Sequence, residues 1–251
     1  GNRGKCAQTC RLPYELIEKK SNNDISKLDR GYLLSTRDMS SLEYIPFLID
    51  AGVTSFKIEG RMKSPEYVAT VTKIYRKYID LALDKTKKYE IENDDKIKLM
   101  QVFNRGGFSS GHLDSKPNRN LVFKEKQNNM GLYLGKISKY NKNKGLVSST
   151  IENDLSIGDS ISFEKEPTKY TISELLSKNQ NIKDAKINQT VTFGRMKGNI
   201  NVGDKIYKIS DKLLSDEAKN SYSKENIKNK LDFREIQNAH QNNDNWQSRF
   251  R

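Results

Sequence analysis

The sequence predicts an α/β region followed by an all-β region. Three observations carry this. The first third alternates strand, helix, strand and helix; one helix start, at Ser64, is strongly marked; and after Leu132 the chain breaks into short β-like runs with a duplicated Gly-Asp turn. In order, Tyr32, Leu33 and Leu34 form a short apolar run read as a strand. From Met39 to Asp50 the apolar positions Met39, Leu42, Ile45 and Leu48/Ile49 fall at helical spacing, and Ala51-Gly52 supplies the stop. Val53 to Ile58 reads as the next strand and ends in Glu59-Gly60-Arg61. Ser64 then stands as N-cap, Pro65 in the first helical position and Glu66 in the first turn, where their chemistry favours a helix start. The stripe Val68, Val71, Ile74, Tyr75, Tyr78, Ile79 and Ala82 follows. This order is the βα repeat of a parallel sheet. Two such units leave a parallel sheet uncovered, so partner strands are expected N-terminal to a chain that opens at Gly1 without Met.

Residues 91–130 read as a connector, with a short amphipathic run from Ile97 to Val102 and the Gly-rich stretch Phe103 to His112. From residue 131 to 230, Leu132–Ile137, Thr168–Ile172 and Thr190–Phe193 are strand-like. Leu155-Ser156-Ile157-Gly158-Asp159-Ser160-Ile161-Ser162-Phe163 matches Ile200-Asn201-Val202-Gly203-Asp204-Lys205-Ile206-Tyr207-Lys208. Gly accepts positive φ and Asp bonds its own turn, so each copy reverses the chain before a strand. Two copies suggest a small closed β-barrel, whose closure removes edge strands. Residues 231–251, rich in Asn and Gln, read as a disordered tail. The expected organisation is therefore 1–90, 91–130, 131–230 and 231–251.

Composition narrows the function. The 251 residues carry 45 Lys+Arg against 32 Asp+Glu, net +13. The excess is spread: +7 over residues 1–130, +6 over 131–230 and none over 231–251. Such a field favours polyanions but locates no site. No run approaches the length of a membrane-spanning helix. Two Cys build no disulfide framework, which fits a reducing cytoplasm.

Cys6 and Cys10 lie three residues apart between Lys5 and Arg11, where nearby cations favour the thiolate that metals require. They supply half of a four-coordinate site or are two unrelated thiols. Glu59, Arg61 and Lys63 follow the end of an expected parallel strand, where ligands of open sheets and barrels gather; an interstrand salt bridge would use the same residue types. Arg37 and Asp38 occupy the equivalent place after the previous strand. Phe103 to Gly111 is either an anion-binding nest with Arg105 as partner or a loop needing Gly for its turns. His112 and His240 have no convincing partner for nucleophilic catalysis, and His-Glu-x-x-His is absent.

The run Gly1 to Tyr14, the run Ser55 to Val68 and Val102 to Phe108 together resemble the collagenase-like peptidase family of unknown catalytic type, the thirty-second U family, over about residues 1–230. Gly106-Gly107 is similar to the longer members. The resemblance implies an α/β (TIM-like) barrel, of which residues 1–90 would be the C-terminal part, followed by a small β-barrel. It implies either peptide hydrolysis without an agreed nucleophile or oxygen-independent hydroxylation of tRNA, rRNA or a quinone. It also implies prephenate as hydroxyl source, and a [4Fe–4S] cluster for which Cys6 and Cys10 look like two of four ligands, the others lying outside this chain. On this basis hydroxylation of a pyrimidine in tRNA or rRNA is expected of the whole protein. Arg61 and Lys63 would bind the donor's carboxylates, and Glu59 would orient it or take a proton. The alternatives are a collagenase-like peptidase and a non-catalytic RNA-binding module.

Overall fold

In a computed structural model, residues 7–21, 24–60, 62–114 and 121–223 are described. Cys6, Arg61, His240 and the expected tail at 231–251 lie outside them. The chain opens with a 3-10 turn at Thr9–Arg11 and an antiparallel hairpin of β1 (Tyr14–Ser21) and β2 (Asp24–Gly31). The strand expected at Tyr32–Leu34 is instead a turn, closed by the Ser35 N–H on the Tyr32 carbonyl. Three apolar residues are too few for a ladder, and the flanking N–H groups are satisfied across the chain: Tyr32 on Lys124 O, Arg37 on Leu121 O. The connector thus supplies the partner.

β3 (Asp38–Met39) pairs in parallel with β4 (Phe108–Ser109), the one parallel pairing among the described residues. The helix expected from Met39 starts later. Leu42–Tyr44 is a 3-10 turn and α1 runs Ile45–Asp50. Pro46 sets this boundary, because it lacks an N–H and its ring would strike the carbonyl four residues back, so only the first helical turn accepts it. Val53–Ile58 joins no described strand. A lone extended segment has no ladder to enter, and it lies instead with Ile58 against the helical core.

The Ser64 start holds. The Ser64 hydroxyl accepts the Tyr67 N–H at 3.3 Å, and α2 runs Pro65–Leu83. It buries Val71, Ile74, Tyr78 and Ala82 against Leu42, Ile45 and Leu99, the last from α3 (Asn93–Val102). Each such large side chain contributes about 1.5–3 kcal/mol on burial. Tyr78 bonds Asp95 at 2.8 Å, and Lys77 closes on the same carboxylate oxygen at 2.7 Å, which ties α2 to α3.

The second half supplies β5 (Leu132–Asn141), β6 (Leu146–Thr150), β7 (Leu155–Ser156), β8 (Ser160–Phe163), β9 (Glu166–Thr171), β10 (Leu175–Ser177), β11 (Gln180–Asn181), β12 (Asp184–Ala185), β13 (Thr190–Phe193) and β14 (Lys205–Ser210), then α4 (Lys212–Ser221). Eight of these strands form one sheet in the order β11-β10-β13-β6-β5-β14-β8-β9, while β7 pairs with β12. The sheet curls around a single core of Leu134, Val147, Ile161, Phe163, Phe193 and Ile206 with their neighbours. Closure, as expected from sequence, does not occur by hydrogen bonding: β9 and β11 stand at opposite ends of the order.

The duplicated turn is geometrically duplicated. Asp159 accepts the Ser156 N–H and Asp204 accepts the Asn201 N–H, each at 2.9 Å. Gly158 (φ 93°) donates to Ile172 O and Gly203 (φ 91°) to Ile137 O, each at 2.8 Å. Only Gly takes such φ values without strain. Lys208, on β14, is 4% exposed, and its carbonyl accepts from Gln101 of α3 at 3.0 Å. It donates to Asp154 O at 2.9 Å and Asp211 Oδ2 at 2.8 Å and stands 3.7 Å from the buried Asp159.

Candidate functional site

A cleft of about 530 Å³ opens between the start of the chain, the α1–α2 connection and the Gly-rich loop. Arg11, Arg37, Asp38, Glu59, Lys63, Tyr67, Phe103 and Arg105 line it. Each is fixed by a local reason. Arg11, ending the first 3-10 turn, donates to Ser35 Oγ at 2.7 Å and Thr36 O at 3.0 Å. Arg37 donates to Gly106 O and lies over the Phe123 ring. Asp38 receives the Arg105 backbone N–H at 3.0 Å and its guanidinium at 3.2 Å, so β3 and the Gly-rich loop are stitched at the cleft floor.

Lys63 emerges from a turn closed by its own N–H on Gly60 O. Its ammonium rests on the Phe103 face, with Tyr67 5.4 Å away. Arg105 lies over the same Phe103 ring at 4.9 Å. Burial pushes the Lys63 amine down to about 8; Asp38 opposes this, and Arg105 and Arg11 add to it. Burial raises the Asp38 carboxyl above its ordinary value, against the pull of Arg105, Lys63 and Arg11. Both shifts follow from removing charge from water.

The Nε–H groups of Arg37 and Arg105 are buried without an acceptor among the described residues. A buried donor left unmade costs about 1–3 kcal/mol. With Arg11 and Lys63 beside them against Asp38 and Glu59, the cleft is suited to an anion carrying more than one acceptor oxygen.

Of the residues singled out in the sequence, Arg37, Asp38, Glu59, Lys63 and Arg105 line this cleft. Glu59 is exposed at its rim, 3.8 Å from Lys57. Cys10 is exposed and lies near the Arg105 guanidinium. One cysteine by itself holds no four-iron cluster, and among the described residues no three His, Cys, Asp or Glu side chains converge. His112 is exposed in the Gly-rich loop. The Asp38–Arg105 pairing and the Phe103–Tyr67 platform were not legible in advance, because nothing in the sequence links positions so far apart.

An α/β region with a basic, aromatic-lined cleft, joined to a curled antiparallel sheet, defines a protein of mixed α/β architecture. Residues 1–122 match peptidase family U32, and the chain belongs to that family. It is 31% identical over 212 residues to a collagenase of Porphyromonas gingivalis (strain ATCC BAA-308 / W83), covering 82% of this chain and 51% of the relative. It is 30% identical over 191 residues to tRNA hydroxylation protein P1 of Bacillus subtilis (strain 168), covering 73% and 45%. It is 43% identical over 83 residues to the 23S rRNA 5-hydroxycytidine C2501 synthase of Escherichia coli (strain K12), covering 33% and 12%. The chain spans about half the length of the first curated relatives it matches. No helix among the described residues is long and apolar enough to cross a membrane.

Proposed function

We propose that the whole protein acts in the cytoplasm in oxygen-independent hydroxylation of a pyrimidine in tRNA or rRNA, and that the cleft holds its anionic hydroxyl donor. The observation that supports this reading is the convergence of Arg11, Arg37, Lys63 and Arg105 on one cleft against Asp38 and Glu59. A dicarboxylate such as prephenate matches that excess of positive charge. Arg37 and Arg105 bind its carboxylates, Lys63 supplies further positive charge, and the Phe103–Tyr67 platform meets an apolar ring. Glu59, at the rim, orients the donor or takes a proton from it. Arg61, outside the described residues, remains a candidate for the same binding role. A [4Fe–4S] cluster on Cys6, Cys10 and ligands beyond this chain would supply the electron chemistry that side chains lack.

The RNA side of the reading rests on the sheet. The β5–β6 turn and the loop after β13 lie together, Met196 N–H donating to Gly145 O at 3.0 Å. Lys142, Lys144, Arg195 and Lys197 are exposed there, none in a salt bridge among the described residues. Such a cluster attracts phosphate. Of the tyrosines that could stack on bases, Tyr140 and Tyr170 pack against the core, whereas Tyr133 and Tyr207 pair edge to face at 5.9 Å.

The collagenase relative supports a second reading, peptide hydrolysis. The test uses the complete gene in its host. Deletion followed by mass spectrometry of tRNA and rRNA nucleosides is expected to lose one hydroxylated pyrimidine. Wild type should restore it, and the Arg37→Met/Arg105→Met and Cys6→Ala/Cys10→Ala variants should not. An unchanged nucleoside profile overturns the reading and leaves peptidase assays as the next step. Salt-sensitive RNA binding with no product would leave a non-catalytic module.

A further inference from the structure

The cleft brings an amine, rather than only positive charge, to its anion site. Lys63 and Arg105 contact the same Phe103 ring, so a carboxylate seated on Arg105 carries its neighbouring carbon toward Lys63 Nζ. We propose that Lys63 is a nucleophile that condenses with the carbonyl of a 2-oxo acid whose carboxylate is held by Arg37 and Arg105. This rests on the anion-site reading of the cleft and adds covalent chemistry to it.

The geometry supplies what such an amine needs. Lys63 is partly withdrawn from water on an aromatic face, with Arg11 and Arg105 as cationic neighbours, and both effects favour the free amine. The titratable and charged groups that line the cleft with it are Arg11, Arg37, Asp38, Lys57, Glu59, Tyr67, Tyr75 and Arg105. Asp38 opposes the free amine, yet its own burial leaves it a readier proton carrier than an exposed aspartate. The reaction balances without an oxidant or reductant. The amine lone pair forms the C–N bond and the carbonyl π pair moves to oxygen; Asp38 carries one proton from the new ammonium nitrogen to that oxygen, giving a neutral carbinolamine. A second proton, taken from solvent through Asp38, turns the hydroxyl into a leaving water, and the nitrogen lone pair expels it, leaving an iminium ion. In a 2-oxo acid the carbonyl is bonded directly to the carboxylate carbon, so one anchored anion presents both groups.

The test uses the full chain, pyruvate and cyanoborohydride, with site-resolved peptide mass spectrometry. Lys63 should carry the reduced carboxyethyl adduct at about tenfold higher occupancy than any other lysine. Labelling should rise with pH through about 8, where the amine loses its proton. Acetone, which has the carbonyl but no carboxylate, should show no such preference, and Arg105→Gln should lower Lys63 labelling while surface lysines are unchanged. Even labelling across the lysines, or equal preference for acetone and pyruvate, overturns the proposal; because the readout is in the wild-type chain, it survives a variant that misfolds. Lactate separates the layers: if lactate and pyruvate both raise the melting temperature but Lys63 is unlabelled, the anion site stands and the nucleophile falls. If neither raises it, both fall.

Discussion

Replacing Lys208 with Met tests the buried charge cluster that ties β14 to the Gly158-Asp159 turn and the start of α4. Methionine keeps most of the stem but removes the ammonium, and with it the bonds to Asp154 O and Asp211 Oδ2 and the charge 3.7 Å from Asp159. Asp159 is 1% exposed and cannot regain water where it sits. Removing one partner of a buried pair costs about 3–5 kcal/mol. The lower end, about 3 kcal/mol, applies because Asp159 keeps two backbone donors, Ser156 and Lys212, and Asp211 is partly open to solvent. With a urea m-value of about 3 kcal/mol/M, the unfolding midpoint should fall by about 1 M at pH 7. Burial already raises Asp159 above its ordinary value, and loss of Lys208 raises it further. A folded-state carboxyl pKa above the unfolded one means that the native state binds more protons, so the variant loses stability as pH rises through that window. The deficit should therefore shrink toward pH 4. A midpoint shift below about 0.3 M at pH 7, or one as large at pH 4 as at pH 7, would refute the argument that a buried charge is being left unpaired.

Three further outcomes follow from local geometry. Ser64→Ala removes the acceptor for the Tyr67 N–H and should destabilise the protein by about 1 kcal/mol in urea unfolding. Gly203→Ala meets no atom within 4 Å, so its cost of about 1 kcal/mol is backbone alone, and Asn at the same position should cost less. Replacing Lys142, Lys144, Arg195 and Lys197 with Gln should flatten the salt dependence of RNA binding, measured by fluorescence anisotropy. The slope of log K against log salt should drop by about 3 if all four contact phosphates of a single strand.

What the sequence disclosed was local. The Ser64-Pro65 helix start, β13 and the paired Gly-Asp turns each depend on chemistry within a few residues, and each is present where the sequence puts it. The expected strands at Tyr32–Leu34 and Val53–Ile58 failed because a strand is defined by its neighbour, and no local pattern names that neighbour. The hairpin of β1 and β2 has a turn signal in Ser21-Asn22-Asn23-Asp24, but its strands, YELIEKKS and DISKLDRG, lack the regular alternation of apolar and polar residues that marks a strand. The cleft was half legible. Glu59 and Lys63 share a segment, but the residues that give Lys63 its character, Asp38, Phe103 and Arg105, arrive from β3 and from the stretch between α3 and β4, and only the folded chain joins them.

The twin Gly-Asp turns also set an order of assembly. Each ends in the same backbone bond, but the first joins residues 158 and 172 and the second joins 203 and 137. Closing the longer span costs about 1.4 kcal/mol more chain entropy by the logarithmic loop law. That difference corresponds to about a tenfold lower closing probability in the unstructured chain. The Gly158 bond is thus placed to form while most of the sheet is still open, and the Gly203 bond must wait until β5 has come round to meet it. Mutations at the first should slow folding, whereas equivalent mutations at the second should chiefly hasten unfolding. One motif, used twice, nucleates the sheet in one place and fastens it in the other.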